Sequence, residues 1–392
     1  MRKKYKIVIS MFFILLLTGV GVWLYRIEPF KTKFEVRESL GGNLFPSLLL
    51  STATTDTVIV QPMDTAWLGN PKSGIGVFVS SSRGVSRVRI HIGETAFSYE
   101  SISEFVLEKS NTDYLIYPEI GWKYDVLRNN TQALPISLAV SVEKNKVNLG
   151  TQIVTLSVRS INECMLGYVD YQNRYRDTSI MFAAYVNEDN DMIDGLLREA
   201  LNSRIVNRFW GYQDNNPRTV DKQVYALWHV LQKRNFKYSS ISNSSLSSNV
   251  VFAQRVRTFD DALKSAQINC VDGSVMFASL LRAINIDPVL VKTPTHMFVG
   301  YYLDRQHSDT AFVETSMIGD VNLDDYFPEE QLDSTMVGKS QKQVSSITFE
   351  KAKEYAGRMY EANRAAIESR GQGFTVIEIS DAVRRKIQPI GL

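Results

Sequence analysis

The sequence predicts a protein of the α+β class, in which an N-terminal transmembrane helix precedes two folded domains. Three observations predict this class: an uncharged apolar run near the N-terminus, a long stretch with the two-residue period of β-strands, and a later stretch in which helical periodicity alternates with short apolar strands. With 392 residues, of which 44% are hydrophobic, the chain has enough apolar material for two cores.

The first 25 residues predict a membrane anchor. Four basic residues lie within residues 2–6, and the apolar run over residues 7–25 is about long enough to cross a bilayer as a helix. Because basic flanks stay in the cytoplasm, we expect a single-pass protein of the cell (inner) membrane, with a cytoplasmic N-terminus and the bulk of the chain periplasmic or otherwise extracytoplasmic. A cleaved signal peptide is the alternative, but residues 20–25 contain no small-x-small cleavage pattern. Residues 26–55 predict a linker without a motif.

Residues 56–162 show the alternation of apolar and polar residues that is typical of β-strands. The alternation is strictest at 88–92, 136–142 and 154–158, and turn residues separate the strands at short intervals. This pattern predicts an antiparallel, immunoglobulin-like β-sandwich. The segment contains no cysteine, which excludes a disulfide between its sheets. A spacer is the favoured role for this domain, and a docking surface is the alternative.

Residues 163–392 predict an α+β domain whose central feature is Cys270. The apolar residues at 274–284 recur at helical spacing, so the cysteine lies at the start of a buried helix. Unpaired backbone N–H groups and the helix dipole favour a thiolate at that position, and the thiolate is the nucleophilic form. Further helices are predicted at 191–204, 220–234 and 349–369, and a last strand at 374–379.

Two more reactive side chains lie at the ends of predicted strands. After a short strand at 289–291, His296 opens a second strand and Glu314 ends a third. Adjacent antiparallel strands beside a helix start can bring a cysteine, a histidine and a carboxylate together. Their roles would be nucleophile, general base and acid, and orienter of the imidazole.

These motifs resemble a known family. Cys-x-Asp-Gly from residue 270, Pro-x-His ending at 296 and Phe-x-Glu-Thr ending at 315 are similar to the transglutaminase-like superfamily, a branch of the papain-like cysteine enzymes, and most of all to bacterial membrane-attached members. The resemblance covers about residues 183–318, with segments 210–213, 223–228 and 235–238 as its helical lead-in. It implies that Cys270, His296 and Glu314 form the triad, although the family usually has Asp at the position of Glu314.

The residues that would complete an oxyanion-binding site are less well specified. The Cys270 backbone N–H is one donor, and Gln254, Gln267 and Asn269 are candidates for a second. Asn269 is favoured as the helix N-cap, with Asp272 bonding back as in a capping box. Thr315 is expected either to bond Glu314 or to line the pocket.

Several function classes are excluded by what the sequence lacks. It has no Cys-x-x-Cys, no His-Glu-x-x-His and no Gly-rich phosphate loop, so we expect neither a metal nor a cofactor. The net charge is +2 without basic blocks, so nucleic acid is not an expected partner. The only two cysteines are Cys164 and Cys270, and a disulfide between them, which would block the nucleophile, is not expected.

The sequence therefore predicts a membrane-anchored, extracytoplasmic thiol enzyme that cleaves an amide bond in a protein or a cell-wall peptide through a thioester. Two alternatives stay open. One is a non-catalytic binding or scaffold protein on the same fold, and the other is an acyltransferase that cross-links proteins. The expected partners are a protein or peptide substrate and the membrane, and the oligomeric state is left open.

Overall fold

The computed structural model describes residues 33–63, 65–82, 84–239, 244–319 and 322–391. The chain is α+β, and its described residues divide into two compact units. One unit comprises 33–42, 60–123 and 135–157, and the other comprises 43–59, 124–134 and 158–391. The chain therefore enters and leaves each unit more than once, whereas the sequence pattern places one boundary at residue 162.

The elements of the described residues follow in chain order. The strands are β1 (Phe34–Glu38), β2 (Asn43–Leu44), β3 (Ala66–Gly69), β4 (Ile75–Ser80), β5 (Ser86–Ile92), β6 (Ser101–Leu107), β7 (Asp113–Tyr117), β8 (Leu134–Lys144), β9 (Val147–Val158), β10 (Glu163–Val169), β11 (Tyr175–Asp177), β12 (Lys237–Tyr238), β13 (Ser244–Ser247), β14 (Val251–Arg255), β15 (Gln267–Ile268), β16 (Pro288–Lys292), β17 (Met297–Tyr302), β18 (Thr310–Val313) and β19 (Thr375–Glu378). The helices are α1 (Pro46–Thr52), α2 (Tyr124–Arg128), α3 (Ile193–Asn202), α4 (Pro217–Gln232), α5 (Phe259–Ser265), α6 (Cys270–Ala283), α7 (Leu332–Met336), α8 (Gln341–Glu368) and α9 (Asp381–Arg384).

The first unit is made of β-sheets. Strands β1, β4, β7 and β3 form one sheet in that order, and β9, β8, β5 and β6 lie side by side in another. Alternate apolar residues are buried, such as Val88, Ile90 and Ile92 on β5. Strand β3, however, pairs with β7 in parallel. The predicted antiparallel immunoglobulin-like sandwich is therefore corrected to a mixed arrangement, because alternation identifies a strand but does not specify the direction of its partner.

The second unit is built around an antiparallel sheet in the order β18-β17-β16-β19. Helix α6 packs against β16 and β17, and α8 packs against β18 and α4. Strands β11, β10, β14 and β13 form a second sheet, and β12 pairs with β15 in parallel. The structure confirms the predicted helix after Cys270 and the three strands that follow it.

An aromatic cluster fixes α6 within this unit. The fully buried Trp228 of α4 packs edge-on against Phe277 of α6, with ring centroids 6.2 Å apart, and lies 5.8 Å from Phe349 of α8. The Trp228 indole N–H donates to the Thr348 hydroxyl at 3.1 Å. Burying a side chain such as Phe277 stabilises the fold by about 2–3 kcal/mol. Trp228 of α4 thereby contacts both α8 and α6, the helix that begins with Cys270.

The predicted membrane anchor, residues 1–25, lies outside the described residues. Within the part of the chain that the structure describes, no helix has both the length and the apolar character needed to cross a bilayer. The longest of these helices, α8, has 28 residues and carries charged side chains along its length. The predicted fold class with its transmembrane helix is therefore corrected to an α+β fold with mixed sheets. The predicted single-pass membrane localisation is likewise not supported by the described helices.

Candidate active site

Cys270 is the first residue of α6, and its position is fixed by a capping box. The Asn269 side chain accepts the N–H groups of Val271 and Asp272 at 2.9 and 2.8 Å, and the Asp272 carboxylate accepts the Asn269 N–H at 3.1 Å. The prediction that Asn269 is the N-cap is thereby confirmed. As the first helical residue, Cys270 has a backbone N–H without a partner inside the helix, and its sulfur lies at the positive end of the helix dipole.

His296 immediately precedes β17 and is held by a tight turn. The Thr293 N–H donates to the His296 carbonyl at 2.8 Å, and the His296 N–H donates to the Thr293 hydroxyl at 3.1 Å. The Nε2 atom lies 2.6 Å from Oε2 of Glu314. The Cys270 side chain is near enough to the ring to contribute to the raised pKa of His296.

Glu314 follows β18, and its side chain is fully buried. Its second oxygen, Oε1, accepts the Ser316 N–H at 2.9 Å and so caps the 3₁₀ turn Thr315–Met317. Its backbone N–H donates to the Ala352 carbonyl of α8 at 3.1 Å. Both carboxylate oxygens and the backbone N–H of Glu314 are therefore bonded.

The charge on the histidine follows from these contacts. Burial opposes a positive charge on His296, but the hydrogen bonds to Cys270 and Glu314 and the negative charges of both raise the pKa of His296 to about 10. A positive charge on His296 is therefore favoured at neutral pH. An imidazolium can donate a proton, and a positive charge beside a cysteine favours the nucleophilic thiolate form.

Thr315 lies in the turn after Glu314, against helix α6. It is fully buried, and its hydroxyl lies 3.3 Å from that of Ser274 rather than on the Glu314 carboxylate. A methyl group added at Gly273 would come within 2.8 Å of the Thr315 hydroxyl oxygen. Gly273 therefore permits the close approach of helix and turn, and Thr315 has a packing position.

The two glutamines proposed as oxyanion donors lie elsewhere. Gln254 is half-buried on β14, opposite Cys164 in the strand register. Gln267 is exposed on β15 and accepts from the Arg257 guanidinium at 3.4 Å. Among the described residues, no hydrogen bond joins either glutamine to the triad.

Tyr238, which belongs to no catalytic motif of the sequence, lies near Cys270. Tyr238 lies on β12, in register with Ile268, and the Ser239 N–H donates to the Ile268 carbonyl at 2.9 Å. Burial raises the pKa of Tyr238, and so does the nearby Cys270 side chain. The residue remains 44% exposed, so it lies at the mouth of the site.

A second tyrosine borders the triad. The Tyr326 hydroxyl lies 3.1 Å from the Ser316 hydroxyl, next to the turn that Glu314 caps. Burial raises the pKa of Tyr326, as does the negative charge of Glu314 to a smaller extent. The sequence offers little signal for either tyrosine, because the chain contains 18 tyrosines and neither is part of a motif.

Cys164 has the properties of a structural thiol. It is fully buried, it is not disulfide-bonded, and burial raises its pKa well above the usual value for a cysteine. Within the described residues, no group of three or more His, Cys, Asp or Glu side chains is arranged to hold a metal ion.

No protein-family model matches the chain, and no curated protein matches it. The family resemblance therefore rests on the sequence motifs, and the chemistry rests on the geometry of the site.

Proposed function

We propose that this chain is a thiol enzyme that cleaves amide bonds in proteins or peptides through a thioester intermediate. The observation that carries the proposal is the relay from the buried Glu314 carboxylate through the His296 ring to Cys270 at a helix start. The likeness of the motifs to the transglutaminase-like superfamily supports the same chemistry.

In the first step, the Cys270 thiolate attacks the amide carbonyl carbon and the carbonyl π electrons move to oxygen. The Cys270 backbone N–H and the Tyr238 O–H are the donors proposed for that oxyanion. The intermediate collapses to the thioester as the C–N bond breaks, and the His296 imidazolium gives its proton to the leaving amine. Glu314 keeps the ring in one orientation throughout.

In the second step, neutral His296 takes a proton from the acceptor as the acceptor attacks the thioester carbon. The C–S bond breaks, and the Cys270 thiolate and the His296 imidazolium are restored. With water as the acceptor the product is a carboxylic acid, and with an amine it is a new amide. We favour water, on the basis of the resemblance to bacterial members of the family.

A thiol-directed probe tests whether the chain is an enzyme. An epoxysuccinyl compound at neutral pH is expected to label the folded protein once, at Cys270. The Cys164→Ala variant should be labelled equally, and the Cys270→Ala variant should not be labelled. A folded wild-type protein without label at Cys270 would favour the scaffold alternative, in which Cys270→Ala also leaves cellular function intact.

The acceptor is identified by the mass of the products. Peptide amide substrates incubated with the enzyme alone are expected to yield free acids, whereas an added primary amine should change the product only if it competes with water. Predominant amide products at low amine concentration would assign the chain to the acyltransferase class instead.

A further inference from the structure

A buried carboxylate lies in the same helical turn as Cys270. Asp272 is in the first turn of α6, two residues after Cys270, and its side chain is fully buried. Its Oδ2 atom accepts the Asn269 N–H at 3.1 Å and lies 2.6 Å from Nη1 of Arg257, while Oδ1 accepts the Arg257 backbone N–H at 2.8 Å. Both carboxylate oxygens are therefore held, and Arg257 supplies a charge as well as a backbone donor.

This carboxylate has opposite effects on the helix and on the thiol. It completes the capping box, and a negative charge in the first turn stabilises a helix. The same charge opposes ionisation of Cys270, because like charges within one helical turn repel each other. Burial raises the pKa of Asp272, and the hydrogen bonds and charge of Arg257 oppose that rise.

We propose that Arg257 is a positioning residue for the thiol chemistry of Cys270. By neutralising the Asp272 carboxylate, it lets the first turn of α6 keep its capping box without an uncompensated negative charge in the turn that begins with Cys270. The Arg257 side chain is only 20% exposed, so solvent screens the ion pair weakly. The inference rests on the proposed function and adds a residue that acts on Cys270 through Asp272.

The other ionisable groups at this end of α6 have their own partners. The ionisable side chains that interact with Cys270 are Tyr238 and His296. Glu314 and Tyr326 lie next to these two side chains. On α5, Asp260 binds Asn190 and Lys264, and Asp261 binds Asn162. Among the described residues, Arg257 forms an ion pair only with Asp272, and its further contact is the neutral Gln267 amide.

Opposite results for two single variants distinguish charge compensation from packing. Arg257→Gln leaves the Asp272 carboxylate uncompensated. We therefore expect the acid limb of the pH profile for Cys270 alkylation by iodoacetamide to move to higher pH, with rates on that limb about tenfold lower than in wild type. Asp272→Asn removes the charge and keeps an acceptor for the cap, so its alkylation rate should equal or exceed the wild-type rate. The double variant Arg257→Gln/Asp272→Asn is expected to recover most of the lost rate.

The readout is the rate of Cys270 alkylation between pH 4 and pH 9, measured by mass spectrometry on protein whose circular dichroism shows the native fold. Arg255→Gln is the matched control, because Arg255 is exposed at the end of β14 and should give the wild-type profile. Arg257→Lys keeps the charge without the planar guanidinium and should lie between wild type and Arg257→Gln.

Two results would overturn the inference: Arg257→Gln with an unchanged pH profile, or Arg257→Gln and Asp272→Asn slowed alike, as a purely structural role predicts. Neither result is the one expected if the proposed function is wrong. In that case wild-type Cys270 itself would react no faster than an ordinary exposed thiol.

Discussion

The Nε2 atom of His296 lies 2.6 Å from Oε2 of Glu314, a carboxylate that has no exposure to solvent. The Ser316 N–H holds the other oxygen, so the carboxylate is fixed before any substrate binds. Orientation and charge of the imidazole thus depend on the same buried group.

Replacing Glu314 by Gln is expected to lower kcat/KM by about 10²–10⁴, the range by which positioned acid–base groups contribute to catalysis. The variant loses the negative charge that helps raise the pKa of His296 to about 10, so the alkaline limb of the pH–rate profile should move to lower pH. Initial rates across pH measure both effects. Glu329→Gln, at an exposed position, is the control, and an unmoved alkaline limb in Glu314→Gln would contradict the assigned role.

The raised pKa of His296 also makes stability depend on pH. A histidine whose pKa is higher in the folded chain binds more protons there, so its stabilisation is complete below about pH 6.5 and is lost as the pH rises through about 10. Urea unfolding of wild type and His296→Gln should therefore give free energies of unfolding that converge as the pH is raised across this window. A difference that stays constant or widens would show that His296 is not stabilised as the imidazolium.

Removal of the Tyr238 hydroxyl tests the proposed oxyanion donor. Tyr238→Phe is expected to reduce kcat by about 10²-fold with little change in KM, because a donor to the oxyanion acts in the transition state and not in substrate binding. Steady-state kinetics measure the separation, and Tyr171→Phe on an exposed tyrosine serves as the control. A change confined to KM would instead assign Tyr238 to substrate binding.

Because Gly273 lies close to Thr315, we expect any larger residue at position 273 to lower the free energy of unfolding. A Cβ at position 273 would lie 2.8 Å from the Thr315 hydroxyl oxygen and 3.0 Å from its Cβ, so Gly273→Ala is expected to destabilise the fold by about 1–3 kcal/mol. Adding Thr315→Ala removes the nearest atom and should recover part of the loss, which thermal unfolding of the double-mutant cycle measures. Strictly additive losses would show that the two residues do not interact.

The sequence predicts the elements of this site better than the contacts between them. The helix after Cys270 and strands β16, β17 and β18 are visible as periodic apolar segments, and the capping box at Asn269 is a local pattern of residue types. The positions of these elements, together with the resemblance of the motifs, nominate Cys270, His296 and Glu314 as a triad.

Structural features that depend on pairing between segments far apart in the chain cannot be predicted from local sequence patterns. Strand β12 has two residues and so has no period, which is why Tyr238 was expected in a helical lead-in rather than beside Cys270. The parallel pairing of β3 with β7 joins segments far apart in the chain, and alternation is the same for either strand direction. Arg257 and Asp272 likewise meet only because the chain folds back between them.

The bond from the Glu314 N–H to the Ala352 carbonyl ties the site to α8, which is synthesised after the three site residues. A nascent chain therefore exposes its thiol and its imidazole before the segment that holds the Glu314 backbone has left the ribosome. We expect the thiol of that unfinished chain to react more slowly than the thiol of the folded protein. The proposed chemistry would then begin only after α8 has packed against β18.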